Sequence, residues 1–138
     1  MILDTSGLIA LFDQSEARNE AAVAAVAAAK PPFVVSPYVI AELDYLLRQR
    51  SGHRNARAAV AELAGGAYEL ACLESVDLGR AIEIDRLYAD FGLGITDASL
   101  VVLAARHETR DLLTFDERHF RKITPIQGGS FRLLPLDA

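Results

Sequence analysis

The sequence predicts an α/β fold: a three-layer sandwich built on a mostly parallel sheet of about five strands, with helices on both faces. Short apolar runs alternate with longer stretches of helical period instead of forming blocks of one kind. Two of those runs close on an acid, Met1-Ile2-Leu3-Asp4 and Leu112-Leu113-Thr114-Phe115-Asp116. Strands that end in acids put charge at the carboxyl edge of the sheet, where open α/β folds bind their ligands. The length of 138 residues and the 51% hydrophobic content fit one domain spanning 1–138 with a substantial core.

Met1 to Leu3 is the first predicted strand. Ser6 to Phe12 follows as a helix in which Leu8, Ile9, Leu11 and Phe12 are apolar on nearly every side; burial under the next helix or against a partner would explain this equally. Glu16 to Ala29 is alanine-rich and favours helix, but it is too short and too weakly apolar to span a bilayer. Lys30-Pro31-Pro32 stops it, and Phe33 to Ser36 forms the second strand. Tyr38 to Gln49 and Arg54 to Ala64 read as two helices, the second ended by Gly65-Gly66. Tyr68 to Leu73 is the third strand, with Cys72 expected as a small buried hydrophobe. Val76 to Tyr88 and Thr96 to His107 are helices separated by Gly92-Leu93-Gly94, and Asp111 to Thr114 and Phe131 to Leu133 complete the sheet.

A single cysteine excludes an internal disulfide. His53, His107 and His119 lack the paired spacing of a structural zinc site and read as surface histidines. No basic, apolar and small-residue leader is present, because Asp4 interrupts the first apolar run; a cytoplasmic location without membrane association is expected. The formal charge of -5 argues against a nucleic-acid partner at first sight. Setting Asp4, Glu42, Asp97 and Asp116 aside from the 19 acidic residues, however, leaves 15 against 14 basic ones, 12 of them Arg, the side chain best shaped to grip phosphate.

Each of those four acids has a local explanation to weigh. Asp4 and Asp116 stand where a helix N-cap would, and Asp97 fits the first turn of a helix with Thr96 as its cap. Glu42 lies inside a helix, at the edge of the stripe formed by Val39, Ile40, Leu43, Leu46 and Leu47 and beside Tyr38 and Tyr45. No cap accounts for it, although a Glu at such a boundary can simply reach water. If the Asp4 strand lies between the Phe33 and Asp111 strands, all four acids meet at one sheet edge. Carboxylates so clustered repel unless protons or a cation neutralise them, and oxygen donors without Cys or His suit Mg²⁺ or Mn²⁺.

In order and spacing, Ile2-Leu3-Asp4-Thr5-Ser6, Ala41-Glu42-Leu43, Ile95-Thr96-Asp97-Ala98-Ser99-Leu100 and Leu113-Thr114-Phe115-Asp116 with His119-Phe120 resemble the PIN-domain ribonucleases, and within them the VapC toxins of prokaryotic toxin-antitoxin modules. The resemblance covers essentially the whole chain. It implies a Rossmann-like PIN fold and a Mg²⁺- or Mn²⁺-dependent endoribonuclease whose catalytic and metal-binding residues are Asp4, Glu42, Asp97 and Asp116. Ser6 and Thr114 match positions whose hydroxyls support the acids or the metal-bound water. It further implies a homodimer, and a heterotetramer or larger assembly with a VapB-type antitoxin that covers the groove.

Two basic segments are candidates for touching RNA phosphates: the run from Arg48 to Arg54 with Arg57, and Arg118, His119, Arg121 and Lys122 beside Asp116, the second nearer the chemistry, with Arg118 and Arg121 its proposed contacts. Phosphotransferases of the haloacid-dehalogenase kind need a second acid two residues after the first, where this chain has Ser6. A receiver domain needs a Lys after a late strand, and Lys30 and Lys122 are poorly placed for that. The stronger rival is a catalytically silent PIN-like binding module whose acids act only as helix caps.

Overall fold

A computed structural model describes residues 1–138. Five short strands, β1 (Ile2–Leu3), β2 (Val34–Val35), β3 (Glu69–Leu70), β4 (Asp111–Leu113) and β5 (Arg132–Leu134), form one sheet in the order β3-β2-β1-β4-β5. Every pairing is parallel, with Ile2 opposite both Val34 and Leu112. Ile2, Leu3, Val34, Val35, Leu112 and Leu113 are fully buried, as central strands covered on both faces must be.

The helices α1 (Thr5–Phe12), α2 (Asn19–Ala28) and α3 (Pro37–Leu63) carry the chain outward from β1 through β2 to β3. A return path through α4 (Ser75–Leu87), a 3₁₀ turn at Ala89–Phe91 and α5 (Gly94–Arg106) passes β1 and enters β4. Right-handed crossovers running in opposite directions put these two groups on opposite faces. The chain thus reverses between β1 and β4, and their carboxyl ends flank the crevice.

α1 packs against α2 and α3, burying Leu8, Ile9 and Ala10 and half-burying Leu11 and Phe12, so internal packing accounts for most of its all-round apolar character. Gly7 permits the closest approach to the sheet: a Cβ there would lie 2.3 Å from the Leu113 carbonyl oxygen. Asn19 donates to the carbonyls of Ala10 and Leu11, joining the start of α2 to the end of α1.

The two helices predicted over 38–49 and 54–64 run on as α3, broken only at Gly52, whose φ of +87° interrupts the helical backbone between them. Cys72 is exposed instead of buried, because β3 is the edge strand, is only two residues long and has both residues exposed. α5 begins at Gly94, whose amide donates to Asp85, so Thr96 lies within the helix and is not its cap. One further helical turn, α6 (Glu117–Phe120), lies between β4 and β5. No helix is long and apolar enough to cross a membrane.

Candidate active site

β1 and β4 end side by side, and the residues just beyond them stay in register. The Asp4 amide donates to the Leu113 carbonyl at 3.0 Å, and the Thr114 amide donates to the Leu134 carbonyl at 3.0 Å. Asp4 is 4% exposed, and its Oδ2 accepts from the Ser6 and Thr114 hydroxyls, each at 2.7 Å. Each hydroxyl also accepts a backbone amide, Ser6 from Phe115 at 2.9 Å and Thr114 from Asp116 at 3.0 Å. The hydroxyls therefore tie the Asp4 carboxylate to the loop that carries Asp116. Although Asp4 occupies the N-cap position of α1, its side chain caps nothing.

Glu42 projects from the second turn of α3, and its Oε2 accepts the hydroxyl proton of Thr5. Ser36 caps α3 by accepting the Tyr38 amide. Ser99 donates to the Thr96 carbonyl at 2.6 Å, which leaves Ser36 to donate to Ser99 across 2.9 Å. This buried serine pair bolts the start of α3 to the first turns of α5, and so fixes the helix carrying Glu42 against the helix carrying Asp97.

Asp116 does cap α6, accepting the His119 amide at 3.1 Å, while its other oxygen stays in the cleft. Asp4, Glu42, Asp97 and Asp116 line one cleft of about 400 Å³ together with Thr5, Ser6 and His119. A larger hollow of about 760 Å³, between the end of α1 and α3, contains none of the four acids. Thr114 is fully buried beneath the cleft. Of the four acids only Asp116 caps a helix, so a role as caps alone does not describe them.

Burial is the main force raising the Asp97 carboxyl to about 7; the charges of Asp4 and Asp116 add to it, and His119 partly opposes it. Burial also raises Asp4, against the hydrogen bonds from Thr114 and Ser6. Both carboxyls thus resist ionising in the absence of a neutralising cation. The donor set fits a hard divalent ion, and Asp97, Asp116 and His119 present ligand atoms all within 4.8 Å of one another.

His119 was expected as a surface histidine in the basic segment beside Asp116, not among the acids; that expectation fails, since its side chain is only 15% exposed and lines the cleft. Its position three residues after Asp116 on a helical turn was the available signal, hidden because α6 itself was not predicted. Arg118 and Arg121 lie outside the cleft lining. Arg121 is held by both oxygens of Asp137, at 2.6 and 2.7 Å, and by Glu117 at 3.1 Å, whereas Arg118 is exposed and makes no ion pair.

Comparison with known proteins agrees with this architecture. The PIN domain profile matches residues 1–124. Ribonuclease VapC26 of Mycobacterium tuberculosis (strain ATCC 25618 / H37Rv) is 46% identical over 135 residues, covering 98% of this chain and 100% of that protein. Among solved structures, M. tuberculosis VapC20, described as a Sarcin-Ricin loop cleaving toxin, superposes with a TM-score of 0.80 at 22% identity, covering 91% of this chain and 97% of that one. A toxin-antitoxin complex from Klebsiella pneumoniae gives 0.65 at 20% identity, covering 88% and 91%. The chain belongs to the PIN-domain family. Within that family it falls in the VapC branch, to which its full-length relative belongs.

Proposed function

We propose that the protein is the toxin of a toxin-antitoxin module, a divalent-metal-dependent endoribonuclease that hydrolyses RNA phosphodiester bonds in the cleft between β1 and β4. The observation that carries this reading is the meeting of Asp4, Glu42, Asp97 and Asp116, from four separate elements, at the point between β1 and β4 where the strand order switches. A bound Mg²⁺ or Mn²⁺ would lower the pKa of a water and neutralise charge developing on the phosphoryl oxygens.

The side chains supply position. Ser6 and Thr114 hold the Asp4 carboxylate in a single orientation, and Thr5 holds that of Glu42. The residues that would hold the ion are Asp4, Glu42, Asp97 and Asp116. Arg118, and Arg121 only on release from Asp137, would meet the RNA backbone. The likeness to VapC26 and to a toxin-antitoxin complex supports a VapB-type antitoxin partner, a homodimer and a heterotetramer or larger assembly with the antitoxin, in the cytoplasm.

Asp4→Asn and Asp97→Asn test the reading. Each variant is expected to keep the far-ultraviolet circular dichroism of the parent and to lose Mg²⁺- or Mn²⁺-dependent cleavage of RNA by at least about a hundredfold, the scale of removing a major electrostatic contributor to catalysis. Cleavage at the parental rate by either purified variant would overturn it.

A further inference from the structure

His119 is the one side chain in the cleft able to bind an ion to which the proposed quartet gives no role. Its Nε2 lies 3.1 Å from the Phe91 carbonyl oxygen, and a carbonyl only accepts, so Nε2 carries the proton. In the neutral ring this leaves the Nδ1 lone pair facing the cleft, 2.8 Å from Asp97 Oδ2 and 3.1 Å from Asp116 Oδ2. Nδ1 is buried, and no N–H or O–H of another residue is directed at it apart from the proton that Asp97 can carry. Three electron-rich atoms thus converge, and either a cation or a proton held by Asp97 must offset their repulsion.

The spacing matches what a cation would impose. Neighbouring donors about 2.1 Å from an octahedral ion stand about 3.0 Å apart, close to both distances from Nδ1. A metal-bound histidine also needs its other ring nitrogen to donate to an outer partner that fixes tautomer and ring orientation, and Phe91 supplies that acceptor. Building on the proposed quartet, we infer that His119 Nδ1 is a direct nitrogen ligand of the divalent cation beside Asp97 and Asp116, and that it biases the site toward Mn²⁺ over Mg²⁺. Imidazole nitrogen favours transition metals, whereas an all-oxygen set suits Mg²⁺.

The test is a titration of the full chain with Mn²⁺ and with Mg²⁺, for the parent, His119→Ala, His119→Gln and Asp97→Asn. Both His119 variants are expected to bind Mn²⁺ at least about tenfold more weakly while Mg²⁺ binding changes much less. A histidine that serves only as a counter-ion to the two acids predicts the opposite sign, because its removal would tighten metal binding; unchanged or tighter Mn²⁺ binding in His119→Ala overturns the inference.

Pulsed electron paramagnetic resonance on Mn²⁺ bound to the unmutated protein gives a second readout that does not depend on a variant folding. Coupling to a directly bound nitrogen is expected. It would belong to His119, since His53 pairs with Arg48 and His107 faces Glu69, both outside the cleft. Bound Mn²⁺ without that coupling overturns the inference and leaves the quartet standing. Parental Mn²⁺ affinity in Asp97→Asn, or no Mn²⁺ binding by the parent, overturns the quartet together with it.

Discussion

Asp97 shows how burying a single carboxyl makes stability depend on pH. Its folded-state carboxyl stands at about 7, against an ordinary value of 3.8, so between those values the native state holds a proton that the unfolded chain has lost. Metal-free stability therefore falls, as far as this group is concerned, when pH rises through that window. Asp97→Asn removes the effect. In a chelator, its stability advantage over the parent is expected to be absent near pH 4 and to grow to about 1–4 kcal/mol by pH 7, as read from urea midpoints at each pH. An advantage independent of pH would show that Asp97 ionises normally. Asp4, Glu42, Asp97 and Asp116 were legible in the sequence because acids at strand ends, or on the boundary of an apolar stripe, are visible in one dimension. His119 was not, since its role depends on the Phe91 carbonyl 28 residues earlier in the chain.

At the level of elements, the site depends on how tightly α1 sits on β4. Gly7 faces the Leu113 carbonyl, and because the obstructing atom is backbone, no side-chain rotation relieves a clash there. Gly7→Ala is expected to cost about 1–3 kcal/mol in urea unfolding, the scale of an overpacked core. Cleavage should fall as well, because the shift would part Asp4 from the loop bearing Asp116; an unchanged midpoint would mean that α1 yields freely. Helix order and the central strands were readable from apolar period and Pro/Gly punctuation. The edge was not: Tyr68 to Leu73 reads as a strand with Cys72 buried, and only the sheet order reveals that β3 is outermost and leaves Leu70 and Cys72 exposed. Gly52 shows the reverse case, since a boundary between helices was readable there but the continuation of α3 beyond it was not.

Across the whole molecule, electrostatics must reconcile a net charge of -5 with a polyanionic substrate. Part of the Arg complement is already committed: Arg121 to Asp137, whose carboxyl it holds down at about 2, Arg132 to Asp111, and Arg106 to Asp77. Arg118 remains unpaired beside Asp116. Against a cleavage-dead Asp4→Asn background, Arg118→Ala is expected to reduce the slope of log affinity for RNA against log salt by about one, and Arg121→Ala to change it less. Equal slopes for Arg118→Ala and its background would remove Arg118 from the RNA surface.

The switch in strand order at β1 also has a consequence in time. Asp4 is made well before the residues that orient it, since one of those hydroxyls belongs to Thr114, 110 positions later, at the end of a strand that must insert beside β1. A nascent chain that already contains Asp4, Glu42 and Asp97 therefore carries acids without a site. The cleft can thus close only after β4 has emerged and inserted beside β1, late in the order in which its residues are made.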